Sequence, residues 1–334
     1  SCNRILSHTF VQMLQMNQIK LIKNRSDIGA GTRGSDMGID AIEVAAINMG
    51  SDYFTRFDYV DVASHNESVY NKVTAVFAKR IGFVVEQCNR VCDAVSESLN
   101  EGKFPLVMSG DHSSALGTIS GIKKAYPHKR LGVVWIDAHA DLHSPYTTPS
   151  GNVHGMPLAA AIGEDNTESA VNGVSDHTLG IWNELKAIGA DSRKVFPTDI
   201  IFFGVREYEA PEKAVMDKYG IKNYTVAEYR YRGPETCLNE ALAQLDDCDL
   251  IYISFDVDSL DSDLVSNGTG TPVSKGFDPD EVKNIITGIL SCGKVSCLEF
   301  TEVNPLLDTK GNRMAEVAFE ILEDITDQLL VSGE

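Results

Sequence analysis

A chain of 334 residues that is 43% hydrophobic can bury one large core, so one α/β domain spanning 1–334 is expected, with residues 1–18 as a loosely attached N-terminal extension. The net charge of −19 excludes a nucleic-acid surface, which needs clustered Lys and Arg, and suits a cationic small substrate. No apolar run reaches the length of about 18 residues that a membrane span needs. The N-terminal stretch also lacks the charged, apolar and small-residue order of a signal peptide, so a soluble, cytoplasmic protein is expected.

The first strand is expected at Lys20–Ile22. It runs into Gly29-Ala30-Gly31-Thr32-Arg33-Gly34, formally a GxGxxG. A dinucleotide site needs an apolar strand before the glycines and a helix opening at the third, whereas Lys23 to Asp27 are polar and the next helix begins near Met37. A loop lining a pocket at the strand's carboxyl edge is the better reading. Helical spacing then runs over Asn71–Asn100, followed by a buried strand at Phe104–Met108 and a helix through Lys124. Further apolar strands are expected at Leu131–Ile136, Ile200–Val205, Leu250–Phe255 and Val295–Phe300, with helices from near Met156 and at Pro234–Leu245 and Asp278–Leu290. Alternating strands and helices predict a three-layer α/β/α fold with a mainly parallel central sheet. Seven cysteines with no CxxC pair read as packed thiols, not as a disulfide framework.

The polar residues that end these strands carry the chemistry. His112 follows one strand; Asp137, His139 and Asp141 follow the next, pointing the same way if the strand's period of two continues; Asp256 and Asp258 follow a third. Ligands in such folds gather outside the carboxyl ends of the strands. Carboxylate mixed with imidazole suits manganese, zinc or iron rather than calcium or magnesium, which prefer oxygen. Six ligands exceed one ion's usual share of protein groups, so two ions sharing carboxylates are expected.

Ser109-Gly110-Asp111-His112-Ser113, the Asp137–Asp141 segment DAHAD, SGNVHG at 150–155, SFDVDSLD at 254–261, GTP at 270–272 and EVNP at 302–305 together resemble the ureohydrolase family, most of all the arginase type. The resemblance covers nearly the whole chain. It implies two Mn2+ ions per chain, one held by His112, Asp137, Asp141 and Asp256, the other by Asp137, His139, Asp256 and Asp258. It implies attack of a bridging hydroxide on the guanidinium carbon of L-arginine, giving L-ornithine and urea. His154 is then the proton shuttle and Glu302 the carboxylate that orients the guanidinium, with Asp141 counted among the catalytic groups. Substrate contacts are expected from His143, Ser150, Asn152, Gly155, Glu209, Glu212 and Thr271, the last as a hydroxyl near Glu302. His143 stands where arginases commonly carry an Asn that touches the substrate carboxylate, and Glu209 where a shorter Asp usually meets the α-amino group. A trimer or hexamer of identical chains is implied as well. The competing readings are a hydrolase of agmatine or guanidinobutyrate, a metal-free pseudoenzyme or scaffold, and a nicotinamide enzyme built on the glycine loop.

Overall fold

Strands β1 (Ile19–Asn24), β2 (Asp58–Val62), β3 (Phe104–Ser109), β4 (Leu131–Ile136), β5 (Ile200–Phe203), β6 (Lys222–Tyr224), β7 (Leu250–Asp256) and β8 (Val295–Thr301) form one sheet. Its order is β2-β1-β3-β8-β7-β4-β5-β6, with every neighbouring pair parallel. The computed structural model describes residues 14–190 and 193–330. Parallel neighbours need crossover connections, and helices on both faces supply them. On one face Val107, Val133, Trp135 and Tyr252 share a core with the helices Ile81–Asn100 and Ala115–Ala125. On the other, Leu106, Met108, Val134, Ile136, Ile253 and Phe255 pack with Gly38–Asn48, Pro279–Leu290 and Arg313–Leu329. Burial on both sides explains why these strands read as unbroken apolar runs, and the expected α/β/α layering is what they build.

Several expectations need correction. The strands β2 and β6 were not foreseen: β2 is an edge strand with a polar, mostly exposed sequence, and β6 has only three residues. The helix expected over Asn71–Asn100 begins at Ile81, because Arg80 takes a left-handed conformation with φ 58° and Lys79 N donates to Gly151 O at 2.7 Å. The segment before it therefore leaves the helix axis to meet the pocket loop. Leu14 is buried and bridges to Leu330, its N–H donating to Leu329 O at 2.7 Å, while residues 1–13 of the expected extension lie outside the described residues. Cys88, Cys92, Cys237, Cys248 and Cys297 are buried free thiols. No helix among the described residues is long and apolar enough to cross a membrane.

The strand order sets the carboxyl ends of β3, β8, β7 and β4 side by side. Just past β8, Val303 is pressed against the helix Gly38–Asn48, where a Cβ on Gly38 would lie 2.2 Å from Val303 O. Gly38 has ordinary helical dihedrals, so propensity alone favours Ala there. Backbone contact decides the opposite sign: Gly38→Ala is expected to lower stability by about 1–3 kcal/mol, the usual cost of forcing atoms into a packed site. A urea titration checks it; an unchanged or higher midpoint contradicts the argument.

Candidate metal centre and substrate pocket

Each strand end delivers its ligand through a local turn. After β3, Asp111 caps a short 3-10 turn by accepting from Ser113 N at 2.8 Å, and it accepts from Gly29 N at 2.9 Å. That turn aims His112 inward. Its ring stacks on Trp135 with centroids 4.0 Å apart and planes 6° from parallel, and its Nε2 lies 2.7 Å from Ser254 Oγ. The other nitrogen, Nδ1, faces Asp137 Oδ2 at 3.0 Å, Asp141 Oδ2 at 3.2 Å and Asp256 Oδ2 at 3.2 Å. On the far side of Asp137, His139 Nδ1 lies 2.9 Å from Asp258 Oδ2 and 3.5 Å from Asp137 Oδ1.

The alternation expected for Asp137, His139 and Asp141 is not how they converge. The strand stops at Ile136, His139 N turns back to Asp137 Oδ1 at 2.7 Å, and Asp141 sits at φ 50°. His139 and Asp141 consequently fall in two different ligand groups that share Asp137. Glu302 is also left-handed, at φ 68°. Two non-glycine residues held in a sparsely populated region, at a cost of about 1–3 kcal/mol each, mark a backbone constrained by the site.

These groups fit a pair of cations. Asp137 Oδ2 and His112 Nδ1 are buried with no hydrogen-bond partner in the structure, although they face each other. Buried polar atoms are ordinarily satisfied, and a cation between the two would satisfy both. The carboxylates of Asp137, Asp141, Asp256 and Asp258 carry −4 with the two imidazoles neutral, and two divalent ions cancel that charge. Titration tells the same story. Burial, then the charges of Asp258 and Asp137, push the Asp256 carboxyl well up. Burial, then Asp137, raises Asp141 to about 6. Burial pulls His112 and His139 down, but the carboxylates around them prevail and hold both well above the usual imidazole range.

A cavity of about 380 Å³ opens over these ligands. It is lined by every site residue expected from the sequence except Asp137, which is wholly buried behind His112 and His139. On one wall His154 Nδ1 lies 3.0 Å from Glu302 Oε1, which also accepts from His112 N at 2.9 Å. Burial alone would lower the His154 imidazole, yet the Glu302 carboxylate, then Asp111 and Asp141, raise it to about 9. Burial opposes ionisation of Glu302, but His154 and the His112 N–H keep its carboxyl below the usual value. With Oε1 used twice, Oε2 is the Glu302 oxygen left for a further donor.

At the mouth, two of the expected contact residues already have protein partners. His143 has both ring nitrogens engaged, Nδ1 with Thr147 Oγ1 at 3.0 Å and Nε2 with Glu209 Oε2 at 2.8 Å, so it presents no spare donor to a carboxylate. Thr271 donates to Asp258 Oδ2 at 3.0 Å and so supports the ligand set. Glu212, nearly buried, accepts from Leu142 N at 3.1 Å and from Glu209 N at 3.0 Å. Ser150 Oγ accepts from Asn152 N at 3.1 Å, and Thr148 Oγ1 accepts from Gly151 N at 2.9 Å, which leaves each hydroxyl proton free to donate. Gly155 lines the same wall. The glycine loop at 29–34 does not line the cavity. It backs it instead, with Gly29 O accepting from His154 N at 3.2 Å and Gly31 packed against the Asn152 amide. Unforeseen from sequence were Glu207, 3.6 Å from His139 Nε2, and the partners beneath His112, Trp135 and Ser254. The pairing of Ser254 and Asp256, two apart on one strand, was the available signal for the latter.

A parallel α/β/α sheet whose carboxyl edge joins imidazoles and carboxylates in a cavity has the form of an enzyme with a candidate metal site. The family model described as Arginase family matches residues 17–326, and the chain belongs to that family. It is 34% identical over 318 residues to an arginase of Bacillus subtilis (strain 168), covering 94% of this chain and 99% of that one. An arginase of Bacillus caldovelox is 32% identical over 320 residues, 95% of this chain and all of its own. The crystal structure of the Bacillus caldovelox arginase superposes with a TM-score of 0.78 at 32% identity, covering 92% of this chain and 98% of that one. The chain is accordingly a ureohydrolase of the arginase type.

The raised imidazoles fix the sign of a pH effect. Their contribution to the metal-free fold is complete below the unfolded value of about 6.5 and is lost as pH rises through the higher folded values. Cations take the place of those protons, so metal binding releases protons and tightens with pH. The gain in melting temperature on adding Mn2+ is expected to be larger near pH 9 than near pH 6. A gain that shrinks with pH contradicts the site.

Proposed function

We propose that this protein hydrolyses the guanidinium group of L-arginine to L-ornithine and urea, with two Mn2+ ions per chain. The first ion would be held by His112, Asp137, Asp141 and Asp256, the second by Asp137, His139, Asp256 and Asp258. Bound there, two divalent cations supply an activated water at neutral pH and polarise the attacked carbon's substituents. The observation that carries the reading is the Glu302–His154 pair at 3.0 Å on the wall directly above that ligand set. Glu302 is an anion able to receive a guanidinium and fix its plane. His154, held protonated by Glu302 and 19% exposed toward the cavity, is positioned to give its proton to the leaving amine.

Arginine is favoured over its decarboxylated analogue by the two kinds of group at the mouth. Glu207 and Glu209 are exposed acids suited to an α-ammonium. Ser150, Thr148 and Asn152 supply donors suited to an α-carboxylate, and the names of the relatives agree with an amino-acid substrate. Donors left unpaired by a substrate without the carboxylate cost several kcal/mol, a discrimination of about 10⁴ at most. We expect kcat/KM for L-arginine to exceed those for agmatine and 4-guanidinobutyrate, with Ser150→Ala combined with Asn152→Ala weakening arginine selectively. Equal values for either analogue overturn the substrate assignment. His154→Ala should slow turnover by about 10² to 10⁴ fold, the range for a positioned general acid. Its metal content should hold, and an emptied site would make His154 a ligand. By family resemblance the chain is expected to assemble as a cytoplasmic trimer or hexamer.

A further inference from the structure

Arg206 lies just past β5, and no step above uses it. Among the described residues its guanidinium pairs with no carboxylate and is given over to backbone carbonyls instead. Nη2 donates to Val273 O at 2.7 Å, Asp258 O at 2.9 Å and Leu260 O at 3.3 Å. Nε donates to Ser274 O at 3.0 Å, and Nη1 to Gly204 O at 3.1 Å and Ser259 O at 3.4 Å. Those carbonyls belong to the end of β5, to the turn after β7 that carries Asp258, and to the far side of the loop at 261–276. That loop leaves and rejoins the turn at one place, with Asp261 N donating to Phe277 O at 2.9 Å and Phe277 N to Ser259 O at 3.0 Å. Thr271 and Pro272, which precede the clamped Val273, line the cavity.

Both oxygens of the Asp258 side chain lead back to Arg206. The Arg206 N–H donates to Ala138 O at 2.8 Å, and the N–H of the same Ala138 donates to Asp258 Oδ1 at 3.1 Å. By the other route the guanidinium holds Val273 O, and Thr271, two residues earlier in that loop, donates from Oγ1 to Asp258 Oδ2 at 3.0 Å. Asp258 Oδ2 is also the atom 2.9 Å from His139 Nδ1. None of these bonds reaches His112 or Asp141. The side-chain type matters as well: a guanidinium spreads its N–H donors over a rigid planar fork, whereas a lysine ammonium gathers all of its donors on one atom and cannot serve separate backbone segments at once.

We propose that Arg206 is the positioning residue of the second cation site, fixing Asp258 against His139 by fastening the ligand turn, the Ala138 segment and the Thr271 loop to one another. This rests on the two-cation reading above, in which His139 and Asp258 serve only the second ion and His112 and Asp141 only the first. Groups that hold metal ligands from behind typically contribute about 10- to 100-fold to affinity. Because the bonds of Arg206 converge on Asp258, its effect is confined to one of the two sites.

The experiment is Mn2+ binding by equilibrium dialysis and calorimetry on the full chain, together with the melting temperature of the metal-free protein. The proteins compared are wild type, Arg206→Ala, Arg206→Lys, His139→Ala and the double variant His139→Ala/Arg206→Lys, each first shown to be folded by circular dichroism. Expected in both Arg206 variants is a loss of about 10- to 100-fold at one of two sites, with the other site retained. In the His139→Ala background the remaining ion is the one on the His112 side, so Arg206→Lys should cost it nothing further. A lowered melting temperature with both affinities unchanged makes Arg206 a clamp of the fold alone and overturns the proposal. Equal weakening of both sites, or a further loss in the double variant, also overturns it, and all of these outcomes leave the functional reading intact. Arg206→Lys keeps the charge and the apolar stem, and its behaviour decides the matter if the alanine variant fails to fold. Wild-type protein that takes up no Mn2+ overturns the functional reading and this inference with it.

Discussion

Mutual repulsion among Asp137, Asp141, Asp256 and Asp258 is the constraint around which the molecule is arranged. Two unit charges about 4 Å apart repel by about 4 kcal/mol even at an effective dielectric of about 20, and here four carboxylates share one buried edge. In the absence of cations the imidazoles of His112 and His139 keep protons that neutralise part of that charge. Positive ligands neutralise all of it. The fold meets the demand from below: β3, β8, β7 and β4 are adjacent and buried on both faces, so their ends hold rigid positions over a packed core. Hydrogen bonds fix individual oxygens: His139 N on Asp137 Oδ1, Asp258 N on Asp256 Oδ1, and Ala138 N and Thr271 Oγ1 on the two oxygens of Asp258. Asp137 and Asp256, each tethered through Oδ1, keep Oδ2 directed at His112 Nδ1.

The wall above the ligands follows from the same arrangement. Glu302 accepts from the backbone N of His112, so a single residue links the turn after β3 to the turn after β8. Its left-handed backbone, the contact of Val303 with Gly38, and the pairing with His154 place one anion and one cation at the cavity surface. At the outer rim the side chains brace one another. His143 spans Thr147 and Glu209, a strut that orients the glutamate. The Glu209 carboxylate and the His143 imidazole thus hold each other in place at the rim.

Much of this was legible in the sequence, for identifiable reasons. Strands buried on both faces give uninterrupted apolar runs, and polar residues that end such runs have few explanations besides a site, so Phe104, Leu131, Leu250 and Val295 were found as strand starts, and His112, Asp137 and Asp256 as the residues that follow those runs. The edge strand β2 escaped because one exposed, polar strand has no such signature, and β6 because three residues show no period. The helix before β3 was read ten residues too early because apolar spacing continues through a segment that the Gly151 contact pulls away. Side-chain partners were the least legible. Nothing in the spacing shows that Thr271 serves Asp258, that His143 is saturated, or that Glu299, set in the apolar run Val295–Phe300, accepts from the Ser109 and Tyr252 hydroxyls.

The central claim is that one ligand set holds two cations through shared carboxylates, and metal counting on purified protein tests it most directly. Asp137 lies between the two groups, with Oδ2 toward His112 and Oδ1 toward His139. Dialysis against Mn2+ followed by elemental analysis should give two ions per wild-type chain and the loss of both in Asp137→Ala, because each ion then loses the anion that separates it from the other. An Asp137→Ala protein that keeps its full metal content contradicts the account.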